Sequence, residues 1–311
     1  MHCSLGQTHT VPVDTSRSIS LFHPVASPSK ARIAGISIVA GVGYLGSMTL
    51  LYRTWYNNYP QTSFHFFNDN VGWLQIDKIG HSWTAYMESH YVASMYRWAG
   101  IDRRKSAWIG AGAGLFFQSG IEVLDGFSEG WGASVGDVAG NVLGSALFLG
   151  QELAWKEQRV WLKFSSHAVS YSNYPDDLQE RVQDLYGTSL SERILKDYNG
   201  QSYWLSINPA SFAHRKGHFP AWLNIAIGYG AEGMLGAEKN IWENENGTIT
   251  DYTHISRRRQ YFLSLDIDLT RIKTRHAWLR TLFGALNTLK IPAPAIELDS
   301  NGNWKGHWLY F

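Results

Sequence analysis

The sequence predicts an α+β fold: a glycine-rich helical bundle of about four helices, followed by an antiparallel, strand-rich C-terminal half that forms a sheet or partial barrel. Two observations carry this expectation. Before residue 158, weakly charged stretches of helical length recur, with small residues spaced four apart. Beyond it, apolar residues alternate with a period of two. The expected divisions are residues 1–30 as an extended arm or signal remnant, 31–158 as the bundle, and 159–311 as the strand-rich region.

Residues 8–30 carry Thr, Ser and Pro without periodicity and read as an arm. Met1–Gln7 resembles the tail of a signal peptide, and Cys3 is a weaker candidate for lipid attachment. Ile33–Tyr52 is uncharged between Arg32 and Arg53, a length that suits a membrane span of about 20 residues or a buried helix. Its Ser37/Gly41 and Gly43/Ser47 pairs have the spacing that lets helix backbones approach. Trp73–Trp98 follows as a second helix, then Arg103–Lys105 as a polar turn, Ser106–Leu124 as a third helix and Ser134–Trp155 as a fourth. Gly136, Gly140 and Gly144 form a stripe on the fourth, and glycine costs about 1 kcal/mol against alanine in a helix. Such a stripe predicts close helix contact.

In the second half, Arg159–Ala168, Tyr203–Asn208 and Trp222–Gly230 read as strands, with 172–201 as a polar linker or loop. Gln260–Ile272 alternates most clearly, with Tyr261, Leu263, Leu265, Ile267 and Leu269 on one face. Trp278–Leu289 reads as a short amphipathic helix, and Ala295–Asp299 with Trp304–Phe311 as a closing hairpin. Strands of about ten residues and a terminal aromatic are also marks of outer-membrane barrels.

Composition narrows the class. Charged residues are only 17% while aromatics reach 14%, with 14 Trp and 16 Tyr, a balance suited to a membrane interface. The mean hydropathy of -0.23 argues against a conventional polytopic inner-membrane protein. A net charge of +1 gives no electrostatic reason to expect nucleic acid, and a single cysteine excludes a disulfide within the chain.

The chemistry, if any, lies in ionisable residues set among apolar helices. Asp77 and His81 share a helix face, as do Asp137 and Asn141; Glu122 and Asp125 close the third helix, and Glu88 and His90 lie farther along the second. Buried charges must pair, bind an ion or line a wet cleft. His81, Glu122, Asp125 and Asp137 are therefore candidate ligands for a divalent metal ion, and together with Asp77 candidate catalytic groups, with His81 as general base and Asp77 orienting its ring. Against this stands ordinary polar pairing: a completed cap at Ser134, or carboxylates in solvent at helix ends. His65 belongs with Phe64, Phe66 and Phe67 in an aromatic interfacial loop, and Asn68–Asn70 and Trp131-Gly132 read as turns. Arg257–Arg259 opens a strand, either as a charged end or as a contact for anionic lipid.

The strings Asp77-Lys-Ile-Gly-His81, Glu122-Val-Leu-Asp-Gly126-Phe-Ser128 and Trp131-Gly-Ala-Ser134-Val-Gly-Asp137-Val-Ala-Gly-Asn141-Val-Leu-Gly144 resemble the predicted periplasmic lipoproteins called domain of unknown function 2279. A longer form of that family resembles Lys196–Trp204, Gly228–Met234 and Leu289–Pro294 as well. A looser similarity joins the same Asp, His, Glu and Asn positions to VanZ-like membrane proteins. The resemblance implies a cell-envelope address and supplies no catalytic residues; the composition adds the expectation of an outer or periplasm-facing membrane with lipid as partner. A structural or binding protein of the envelope is the first expectation. A hydrolase or transferase acting on a lipid or other envelope component is the second.

Overall fold

The computed structural model describes residues 22–56, 59–213, 219–244 and 247–311. The first 21 residues, with the signal-like Met1–Gln7 and Cys3, lie outside them.

Four helices open the chain: α1 (Lys30–Leu51), α2 (Ile76–Trp98), α3 (Arg103–Gly126) and α4 (Val135–Ala154). Each of α1, α3 and α4 starts at a side chain that accepts an orphan N–H of the first turn: Ser29 from Arg32, Asp102 from Lys105, and Ser134 from Asp137. Two boundaries differ from expectation. Trp73, Leu74 and Gln75 have positive φ, so the second helix begins only at Ile76. Arg103–Lys105 is the first turn of α3 because Asp102 caps it.

Pairs along the helices set their directions. Lys78 meets Asp137, His81 meets Asn141 and Arg97 meets Glu152, so α2 and α4 run parallel. Glu88 accepts from Gln118 and His81 faces Glu122, so α3 runs antiparallel between them. Glycine decides how close they come. A Cβ on Gly144 would meet the Ser82 carbonyl, one on Gly140 would lie 2.6 Å from the Lys78 carbonyl oxygen, and one on Gly114 2.6 Å from that of Ala85. Gly41 and Gly43 on α1 face open space, so the small-residue spacing there brings no close approach. Instead α1 leaves Ile38, Val39, Val42, Leu45 and Leu50 exposed. Among the described residues it is the one helix long and apolar enough to cross a membrane by length and composition.

The remaining elements are β1 (Val160–Ser166), α5 (Asp176–Tyr186), α6 (Leu190–Lys196), β2 (Gln201–Ile207), β3 (Leu223–Glu232), β4 (Ile241–Glu243), β5 (Ile249–Asp251), β6 (Arg258–Ile267), α7 (Ala277–Leu286), β7 (Ala293–Asp299) and β8 (Trp304–Tyr310). Residues 172–201 are thus largely helical rather than a linker. Leu178, Val182 and Tyr186 stand four apart on α5 and are buried, and α6 starts with a Ser189/Glu192 capping box. The β4–β5 hairpin was also unforeseen, and the strand expected over 260–272 stops at Ile267, where Asp268 caps a short 3-10 turn.

Six strands form one antiparallel sheet in the order β1-β2-β3-β6-β7-β8. It curls strongly: Tyr310 on the last strand lies 3.2 Å from the Ser202 hydroxyl on the second and packs against Trp204 and Phe262. The concave face is closed around buried polar groups and an apolar cluster of Trp204, Phe262 and Tyr310. Lys163 Nζ donates to Asp266 Oδ2 at 2.7 Å, both side chains fully buried, and Ser206, Asn224 and Asn208 extend that network. Glu297 accepts from Gln260 at 2.8 Å and sits 2.5 Å from His307 Nε2. The helical bundle covers the convex face at β1 and β2, where Trp83 packs on Phe164 and Tyr203.

The glycine contacts give a paired test. Gly144→Ala is expected to lower stability by about 1–3 kcal/mol, since the Ser82 backbone must retreat. Gly41→Ala, made in open space, is expected to be neutral or mildly stabilising. Thermal denaturation of both variants checks the contrast.

Candidate functional site

One end of the bundle gathers the N-termini of α2 and α4 and the C-terminus of α3, and the candidate residues meet there. Ligand atoms of His81, Glu122 and Asp137 all lie within 4.8 Å of one another, as do those of Asp69, Asp77 and Asp137. His81 Nδ1 is 3.1 Å from Asn141 Oδ1 and 3.7 Å from Glu122 Oε1; its Nε2 is 3.8 Å from Asp137 Oδ1. Asn141, four residues after Asp137 on α4, sets the ring by presenting its side chain across the interface that the glycines allow.

Lys78 is the hub of the acidic half. Its ammonium lies 2.6 Å from Asp69, 2.9 Å from Asp77 and 3.0 Å from Asp137. Asp77 and Asp137 both stand in the first turn of a helix, where the N-terminal dipole favours a carboxylate. Asp77 therefore does not orient His81 as its i, i+4 spacing suggested; it turns to its neighbour Lys78, and Asn141 takes that role.

Glu122 is 5% exposed, and its Oε2 accepts the Ser134 N–H at 3.0 Å while Oε1 has no hydrogen-bond partner among the described residues. Burial pushes its carboxyl up to about 8, reinforced by Asp137 and Asp125 and opposed by the Ser134 amide and Lys78. Asp125 is likewise raised by burial, to about 6, against the hydrogen bonds from Tyr56 and Trp131 that hold it. Those bonds turn it away from the three-residue group, so it flanks the centre instead of joining the ligand set expected for it. Burial also raises Asp77 and Asp137. At Asp69 burial pulls the same way, but the bonds from Lys78 and Ser134 prevail and hold it below the ordinary carboxylate range.

Several participants were not singled out from the sequence. Asp69 sits in an Asn-Asp-Asn string that reads as a turn, and nothing local marks it as a partner of Lys78 and of the Ser134 hydroxyl, 2.5 Å away. Tyr56, at the end of the π-helical turn that follows α1, and Trp131, in the α3–α4 connection, both reach Asp125. By contrast Glu88 and His90 lie apart: Glu88 pairs with Gln118, and His90 packs on Trp161 toward the opposite end of the bundle. Arg257 donates to the carbonyls of Gly236 and Ala237, Arg258 pairs with Glu232 and Asp299, and Arg259 donates to Gln75, which supports the charged strand end over a lipid contact.

Beside the cluster, residues 59–67 fold over the α3–α4 turn. His65 and Phe67 donate backbone bonds to Gly126 and Ala133, and the Phe64 ring occupies the space a side chain at Gly126 would fill. Phe64, Phe66, Phe67 and Phe127 stay exposed around this end as an aromatic rim.

The raised carboxyl predicts a pH effect. Between 4.5, the ordinary glutamate value, and about 8 the unfolded chain has released a proton that folded Glu122 keeps. Stability from this group is complete below the window and is lost as pH rises through it. The matching loss at Asp125 is over by about 6 and that at Glu88, which burial raises to about 7, is over by about 7, so the fall between about 7 and 8 belongs to Glu122. Melting temperature followed against pH with a chelator present is expected to decline over that range in the native chain, and to flatten in Glu122→Gln.

No curated protein matches the chain, and no solved structure does. A family match begins at His65, ends at residue 149, and so takes in the whole cluster except Tyr56 while stopping short of the sheet. That stretch, residues 65–149, matches the family described as predicted periplasmic lipoprotein (DUF2279), a name that records a place in the cell and no activity.

Proposed function

We propose that the chain is a membrane-seated cell-envelope protein whose bundle end holds a divalent cation between His81, Glu122 and Asp137, in the service of hydrolysis or group transfer on a lipid or other envelope component. The observation that carries this is the convergence of three ligand atoms within 4.8 Å, one of them the unpartnered Oε1 of a buried glutamate. Charge balance supports it: among the described residues, the basic groups facing Asp69, Asp77, Asp125, Asp137 and Glu122 are Lys78 and His81. One imidazole with two carboxylates suits a borderline or hard ion such as zinc or manganese. A cation there would polarise a phosphoryl or carbonyl oxygen. The ring nitrogen of His81 that is not bonded to Asn141 would ligate the cation, and Lys78 would keep Asp69 and Asp77 ionised behind it. The exposed aromatic rim and the bare apolar helix α1 favour a substrate presented at a membrane.

A second reading rests on Lys78. Its contacts with three aspartates could make the cluster a structural lock that ties α2 to α4 and to the loop at Asp69. The family name supports an envelope or periplasmic address for either reading.

Titration calorimetry with zinc and with manganese separates them. The native protein is expected to take up one ion per chain, with affinity rising up to about pH 8 as Glu122 gives up its proton. His81→Ala and Glu122→Gln are each expected to weaken binding by about tenfold or more. Absence of saturable uptake, or uptake indifferent to both changes, leaves the structural lock. Release of product from phospholipid or ester-lipid vesicles, lost in Glu122→Gln with the fold intact, would establish turnover.

A further inference from the structure

The sheet is built inside out for a protein in water. While Trp161, which pairs with Ser206, packs into the helical bundle, across the concave face run Ser206, Ala226, Ser264, Ala295 and His307, one residue per strand in register. Next to it lies a row through Lys163, Trp204, Gly228, Phe262 and Glu297, where the absent side chain of Gly228 leaves room for the Trp204 ring. These rows hold buried charges sealed by their own bonds. The convex face is the apolar one. Ile225 pairs with Leu265, Ile227 with Leu263, and Leu263 with Ile296, and all five side chains are about half exposed or nearly so. Tyr261 and Trp304 continue the patch along the register of Leu298, and Trp308 is 91% exposed. A face of this extent is a site for something apolar.

We infer that the convex face of β3, β6, β7 and β8 rests in the acyl layer of a lipid membrane. Paired charges enclosed beside the Trp204, Phe262 and Tyr310 cluster, with apolar side chains left outside, suit a sheet whose surroundings are hydrocarbon and not water. Basic charge stands at one end of the strands. Lys273 and Arg275, just past β6, and Arg280 on α7 are exposed and pair with no carboxylate among the described residues, which matches an anionic headgroup layer. On α7, Trp278, Leu282 and Leu286 form an exposed stripe four residues apart, as in a helix lying in the interface. The far edge of β8 sets the depth. It has no neighbouring strand among the described residues, and unpaired backbone groups are not tolerated in the hydrocarbon centre. The face is therefore seated within one leaflet, its edge in the headgroups, and does not span.

This deepens the membrane seating proposed above by naming the surface, and it is tested on the full chain. In a Cys3→Ser background, an environment-sensitive dye is placed at Leu263→Cys, Ile296→Cys or, as a control, Leu195→Cys on exposed α6. Vesicles of phosphatidylethanolamine and phosphatidylglycerol carry spin-labelled quenchers at shallow acyl positions. The dyes at 263 and 296 are expected to shift blue and lose about half their emission, reporting a depth of roughly 5–10 Å, while the dye at 195 stays unquenched. If vesicles retain the protein but none of the dyes is quenched, α1 alone holds it and the sheet face is refuted while the seating stands. Equal quenching at all three positions means unoriented adsorption and also refutes it. A blue shift without lipid, together with cross-linking between copies at 263 or 296, would assign the face to a second copy of the chain instead.

Discussion

The close approach of α4 to α2 governs the end of the bundle where the ionisable residues gather. Gly140 and Gly144 let the backbone of α4 press against the carbonyls of Lys78 and Ser82. At that separation the first turns of both helices, with their favourable dipoles, present Asp77 and Asp137 to a shared space. A single lysine then lies within ion-pair reach of both, and the imidazole of His81 faces Asn141 and Glu122. Larger residues at the glycines would part the helices, and water would enter where burial now raises Glu122.

Burial is what makes the cluster chemically informative. Carboxyl groups at helix ends in water would show ordinary acidity and carry no information about a site. Here Glu122 is shielded by Ser134 and the α3–α4 turn, with one oxygen satisfied and the other bare. An arrangement that keeps such an oxygen beside an imidazole costs the charged form dearly, and Glu122 therefore holds its proton up to about 8. Lys78 pairs directly with Asp69, Asp77 and Asp137 and opposes the rise at Glu122 without bonding to it.

The two halves meet their surroundings in related ways. In the bundle α1 turns most of its apolar surface outward, and in the sheet the convex strand faces do the same. Charged groups are instead collected inward, around Lys78 in one half and around Lys163 and Asp266 in the other. An apolar outside and a paired, polar inside fit an address in the cell envelope better than either half does alone.

The sequence by itself determined the order of helices and strands, the glycine stripe, and the four groups His81, Glu122, Asp137 and Asn141 as residues out of place in apolar surroundings. These follow from local rules: spacing on a helix, alternation on a strand and the cost of a buried charge. It did not disclose α5 and α6, whose polar composition hid the Leu178/Val182/Tyr186 stripe. Nor did it disclose Asp69, because only the folding of its loop onto the bundle brings that carboxylate to Lys78. Tertiary structure alone also decided which partner each charge took, so that Asp77 went to Lys78 and Asp125 to Tyr56. The orientation of the sheet was decided there as well. Alternation in β6 gives two faces of opposite character, but which one is enclosed depends on how six strands curl, and the curl encloses the polar one.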